Sequence, residues 1–120
     1  MYRNYNWQVD YDDLRVLRNF CYQYKRMNKK VKDPATSKKD IMEYRARINV
    51  IEETARDIGG DECWAGLLRA VTQRKQYKEV KKQFKRLVTE EEYTDMYRHY
   101  FWLLNRRVNT TILRYYEPEV

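Results

Sequence analysis

The chain has 120 residues, 42% hydrophobic and 36% charged, with 25 Lys and Arg against 18 Asp and Glu for a net charge of +7. That length specifies one domain, and the apolar share suffices for a core, which excludes a wholly disordered chain. No run approaches the roughly 20 apolar residues of a membrane span, the first residues lack the apolar stretch of a signal peptide, and Cys21 and Cys63 read as free thiols, so we expect a cytoplasmic protein with no membrane partner.

With three glycines and two prolines, long periodic runs are left unbroken. They predict an all-α fold, a single-domain bundle of about five helices over residues 1–120. Residues 1–9, carrying Tyr2, Tyr5 and Trp7, form an aromatic arm, either loose or strapped across the bundle. Asp10 suits the N-cap of a first helix running to about Asn28, with Asp12 and Asp13 in its positive first turn. Leu14, Leu17, Cys21 and Tyr24 line its inner face, widened by Phe20 and Met27. A basic loop follows at 29–36, with Lys29, Lys30 and Lys32 before Asp33-Pro34.

Ser37-x-x-Asp40 resembles a capping box and opens a second helix. Its Ile41, Tyr44, Ile48, Ile51, Ala55 and Ile58 recur at spacings of three and four, and Gly59-Gly60 supplies a left-handed stop. This seam serves the internal core or, alternatively, a homodimer through the 41–58 helix. Asp61 can cap a third helix through about Thr72 that buries Trp64, Leu67, Leu68 and Val71. A basic helix from Arg74 to Leu87 comes next. Thr89-x-x-Glu92 is a capping box that starts the last helix, expected to reach about Leu113. Its buried side is Tyr93, Met96 or Tyr97, Tyr100, Leu104 and Val108, with Phe101 and Trp102 broadening it. Residues 115–120 form a tail. The core expected from these patterns joins Leu14, Leu17, Cys21, Ile41, Ile48, Ile51, Ile58 and Trp64 to Leu67, Leu68, Val80, Phe84, Tyr93, Tyr100, Leu104 and Val108.

Chemistry-bearing residues are scarce. Ser37 is the sole serine and His99 the sole histidine, so a Ser-His-acid triad would need both from distant segments. One histidine and two widely spaced cysteines are too few for a zinc site, and Gly59-Gly60 lacks the Lys-Ser/Thr of a phosphate loop. Acid groups occur at Glu52-Glu53, Asp61-Glu62 and Glu90-Glu91-Glu92, a pattern also found in metal-dependent nucleases, but two of the three sit where helix N-termini favour acids. We therefore expect no enzyme, no cofactor and no metal.

From Arg69 to Arg86 there are eight cations and one acid, a local charge of +7. On a helical wheel Arg74, Lys75, Lys78, Lys81, Lys82, Lys85 and Arg86 share one arc, opposite Tyr77, Val80, Phe84 and Leu87. Such a face suits a phosphate backbone, in salt-sensitive contacts independent of base sequence, with Lys29, Lys30 and Lys32 as an auxiliary site. A helix-turn-helix led by the last helix is disfavoured, because Glu90, Glu91 and Glu92 would meet phosphate. The twelve tyrosines read as core-edge residues or as stacking platforms and interface anchors. The competing reading is a regulator or inhibitor that docks on a host protein with an acidic surface and touches no nucleic acid. It draws on the polarity between the basic segments and Asp40 to Leu68, where seven acids face three arginines. In a third reading the lysines only solvate the bundle.

The segment MYRHYFWLLNRRV, with IEETARDIGG and WAGLLRAVT upstream, resembles small uncharacterised helical accessory proteins of phages and mobile elements of Gram-positive bacteria. The resemblance spans Ile48 to Val108 and assigns no functional residue. It implies a phage-type accessory protein acting in a host cytoplasm, where regulators of nucleic-acid processes and inhibitors of host defence both occur.

Overall fold

Three of the local start signals in the sequence are used, whereas Asp61, expected to cap a separate third helix, lies inside a helix that continues past it. In the computed structural model, which describes residues 7–109, α1 spans Tyr11–Tyr22, α2 Tyr24–Lys32, α3 Lys38–Gln73, α4 Tyr77–Val80 and α5 Glu90–Arg107. The arm residues Tyr2 and Tyr5, the end of the last predicted helix beyond 109 and the 115–120 tail lie outside the described residues. The side chains of Asp10, Ser37 and Thr89 accept hydrogen bonds from the backbone N–H groups of Asp12, Asp40 and Glu92, so α1, α3 and α5 begin where capping chemistry places them. The fold is all-α, as expected, with no strand among the described residues.

The helix ends depart from expectation in three places. The first helix bends at Gln23 and continues to Lys32. Gln23 N–H turns to the Phe20 carbonyl at 3.3 Å, and the Gln23 side-chain amide donates to the Asn19 carbonyl at 3.2 Å. The loop expected at 29–36 is correspondingly shorter. Lys29, Lys30 and Lys32 form the last turn of α2, where cations meet the negative end of the helix dipole. The chain leaves the helix at Asp33, extended as the residue before a proline must be. The last helix ends at Arg107, not near Leu113, because Val108 is extended.

Gly59-Gly60 interrupts α3 without ending it. Gly60 takes φ 63° and ψ −175°, a backbone open in practice to glycine alone, and helix resumes at once. α3 thus has two limbs. Against the first packs α2, where the Tyr24 hydroxyl donates to the Glu52 carboxylate. Burial and this acid raise the Tyr24 pKa to about 12. At the far end of α5 Arg107 bonds Thr54 Oγ1 at 3.0 Å and pairs with Asp57.

One core joins α1, α2, α3 and α5 through Leu17, Phe20, Met27, Ile48, Ile51, Leu67, Val71, Tyr100, Phe101 and Leu104. Leu14, Ile58, Leu68 and Val108 pack at its edge, while Ile41 and Trp64, expected inside, are only half-buried. Arg56 lies 4.6 Å over the Trp64 ring and accounts for its place at the surface. The middle of the 41–58 seam, Ile48, Ile51 and Ala55, is covered within the chain itself. Tyr100 donates to the Ile51 carbonyl at 3.2 Å and lies 3.6 Å from Cys21 Sγ, so its hydroxyl is satisfied in full burial. Burial pushes the Cys21 thiol up to about 12.

A second, smaller core lies against the other limb of α3. Cys63, Ala70, Val80, Phe84, Val88 and Tyr93 make it, and it holds the segment between α3 and α5. No helix among the described residues is long and apolar enough to cross a membrane.

Candidate nucleic-acid interface

The segment expected to be a helix from Arg74 to Leu87 is not one. α3 ends in a left-handed residue, Arg74 (φ 56°, ψ 38°), and Lys75 N–H caps the Ala70 carbonyl at 3.2 Å in a Schellman-type stop. Only α4 and one turn of 3-10 helix at Lys81–Gln83 follow, and the chain is extended at Phe84. The physical reason lies in the charges. A continuous helix would stack Lys78 on Lys81 and Lys82, and Lys81 and Lys82 on Lys85, each pair repulsive.

The tertiary structure ties the segment down instead. Lys85 N–H donates to the Glu62 carbonyl at 2.8 Å. Tyr77 and Tyr93 hydroxyls donate to the carbonyls of Val88 and Lys75, at 2.6 and 3.2 Å, and pin the segment at both ends. The Phe84 ring lies so close over Gly66 that a methyl group there would stand 2.7 Å from Cε1. Val80, Phe84 and Val88 are buried, whereas Leu87, expected on the apolar side, is 88% exposed. Val88 takes the inner position instead, in the second core.

The predicted site cations divide by partner. Arg86 bridges Glu62 at 3.3 Å and Glu92 at 3.0 Å, and the Glu92 bond raises its pKa. Lys75 pairs with Glu79 at 3.3 Å, and the Glu79 carboxylate, held chiefly by Gln76 N–H and then by Lys75, titrates below its ordinary value. Arg74 stacks on the Tyr22 ring at 4.1 Å, and Lys81 Nζ stands 6.0 Å from the centre of Tyr77. Lys78, Lys82 and Lys85 are exposed and form no ion pair among the described residues. Lys29, Lys30 and Lys32 are exposed too, but on α2, whose packing is with the first limb of α3. The two basic clusters therefore occupy separate places on the fold.

Beside the segment runs a cleft of about 760 Å³ that the sequence patterns did not disclose. Its walls come from residues 7–9, α1, the turn after α3 and α5. Tyr22, Tyr77, Tyr93, Tyr97 and Phe101 supply rings, and Arg18, Arg74, Lys75 and Arg98 supply charge against one acid, Glu90. Trp7 closes one end. It stacks on His99 with ring centres 3.7 Å apart and leans on Trp102 at 4.7 Å, so this part of the arm is a strap. Burial holds His99 below its ordinary pKa. Among the described residues no group of three or more His, Cys, Asp or Glu could hold a metal ion.

No family model matches this sequence, and no match was found among the curated proteins or the solved structures.

Proposed function

We propose that the chain is a non-enzymatic regulatory protein that contacts the nucleic-acid backbone through the segment from Arg74 to Arg86. The observation that carries this reading is the set Lys78, Lys82 and Lys85, exposed and without an ion pair among the described residues, on a backbone that the second core and two tyrosine hydroxyls hold in place. Lys81 adds a fourth exposed ammonium. Arg86 and Lys75, already paired with acids, orient the segment more than they bind. Lysine ammoniums are compact point charges, suited to phosphate and not to reading bases. Lys29, Lys30 and Lys32 form the auxiliary patch, and a phage-type accessory role is the setting this reading fits.

The test is equilibrium anisotropy against labelled DNA and RNA with the wild type and with Lys78→Glu, Lys82→Glu and Lys85→Glu combined. Binding should vanish in the triple variant while the thermal melt stays nearly unchanged, because all three side chains are exposed. No binding by the wild type even at low salt refutes the reading.

One observation favours the protein-docking alternative. Leu87 is a large apolar side chain left in solvent next to Lys85 and Arg86, a pairing suited to an acidic protein surface with an apolar pocket. Leu87→Ala separates the two, since it should leave DNA binding intact and weaken a protein complex.

A further inference from the structure

We propose that the cleft between the strap, α1, Arg74 and α5 seats an unpaired nucleotide, the base among the tyrosines and the phosphate on Arg18 and Arg74, which makes single strands the preferred form. The inference rests on the backbone-binding reading above and extends it from charge to a site.

Three independent observations meet in this cleft. The first is composition. Rings offer stacking surfaces that any base can use, and Arg18, Arg74 and Arg98, beside a Lys75 already paired with Glu79, outnumber the one acid and set the sign of the ligand. The volume, about 760 Å³, falls inside the range of small-ligand sites, about 300–1,000 Å³.

The second is an unsatisfied donor. Arg18 Nε is buried and has no hydrogen-bond partner among the described residues, and its guanidinium lies 6.0 Å from the centre of the Tyr97 ring. A buried N–H left without an acceptor is costly, and a ligand oxygen in the cleft would complete it. Glu90 is the one acid among the described residues of the cleft wall.

The third is strain. Arg74 is the one non-glycine residue with positive φ among the described residues, at a helix-stop position that normally takes glycine or asparagine. That conformation puts its guanidinium over Tyr22, on the cleft wall. Strained residues gather at binding sites, where the surrounding structure enforces them. A neighbouring hollow of about 270 Å³ shares Arg18, Tyr22 and Arg74 and adds Arg15, so the positive surface continues past the cleft, as a second phosphate requires. A duplex offers neither a free base face nor a way into a cleft of this size, and so gains only the lysine contacts.

The test compares an oligothymidylate of about 12 nucleotides with a duplex of equal length, chosen within the site sizes of single-strand binders. One stacked base should favour the strand by about 5- to 150-fold. Arg18→Gln, and separately Arg74→Gly, which suits the backbone there, should remove that preference and spare duplex binding. The triple lysine reversal should remove binding of both forms. Equal affinity for strand and duplex, or a preference that survives both arginine variants, overturns the cleft proposal and leaves the backbone reading standing. Should no nucleic acid bind, the backbone reading fails, and calorimetric titration with adenosine 5′-monophosphate then decides the cleft alone. Binding that Arg18→Gln abolishes sustains it, and no binding overturns it.

Discussion

Phe84 and Gly66 form the joint that fixes the basic segment to α3, and their coupling can be measured. An ideal Cβ on Gly66 would sit 2.7 Å from Phe84 Cε1 and 2.9 Å from Cδ1, well inside van der Waals contact. Phe84 is 7% exposed and backed by the second core, so the ring has little room to retreat. Overpacking of this kind costs about 1–3 kcal/mol. Alanine in place of a helical glycine returns about 1 kcal/mol. Gly66→Ala alone should therefore lower stability by about 0–2 kcal/mol, the difference of those two effects. Phe84→Ala removes a buried ring and should cost about 3–5 kcal/mol. In that background the methyl group meets empty space, and Gly66→Ala should now stabilise by about 1 kcal/mol. The change of sign is the diagnostic, with a coupling of about 1–3 kcal/mol across the cycle. Urea denaturation followed by far-ultraviolet circular dichroism measures all four proteins. Gly66→Ala that stabilises the wild type by the full helix-propensity gain would refute the claim that Phe84 rests on Gly66.

Three further outcomes follow from the geometry. At Arg74, relief of the left-handed backbone and loss of the Tyr22 contact oppose each other, so Arg74→Gly should stay within about 1 kcal/mol of wild type, while Arg74→Val, a β-branched residue at positive φ, should lose about 2 kcal/mol; urea midpoints rank them, and the reverse order contradicts the strain. Tyr100→Phe removes the bond to the Ile51 carbonyl and should cost about 1–2 kcal/mol in the same assay, with an unchanged melt counting against that bond. Burial lowers the His99 pKa while Asp95 opposes it, so below about 6.5 the unfolded chain binds the proton more readily than the folded one. Stability from the Trp7–His99 stack is then complete above about 6.5 and declines as pH falls toward the lowered folded value, and His99→Gln should flatten that slope in pH-dependent thermal melts.

What could be read from the sequence was what short-range chemistry decides. Caps at Asp10, Ser37 and Thr89 depend on a side chain and an N–H two or three residues away, and all three stand. Ile48, Ile51, Tyr100 and Leu104 were found by period and are buried. The basic segment reads as a helix in the sequence because Tyr77, Val80 and Phe84 keep a helical period, yet the chain there is helical only in part. Two like-charge rows and a tertiary hydrogen bond from Lys85 to Glu62 outweigh that local preference. Exposure of the lysines was legible, since it follows from charge alone, whereas the pairing of Arg86 with Glu62 and Glu92 required residues brought together by folding. The cleft was beyond reach for the same reason. Its rings and arginines come from four parts of the chain, and nothing in one helix marks Arg18 as a wall residue or Arg74 as left-handed. An excess of tyrosine was its only trace.

The most direct test of the account is the salt dependence of binding to a labelled DNA duplex. Four lysine contacts, at about 0.9 counterions released for each, set a slope of log K against log salt near −3.6, or a loss of roughly 150-fold between about 50 and 200 mM. A slope of that size, halved or less when Lys78 and Lys82 are reversed, is the expected result. A slope near zero, or one untouched by those reversals, would contradict the assignment of the exposed lysines as the contact surface.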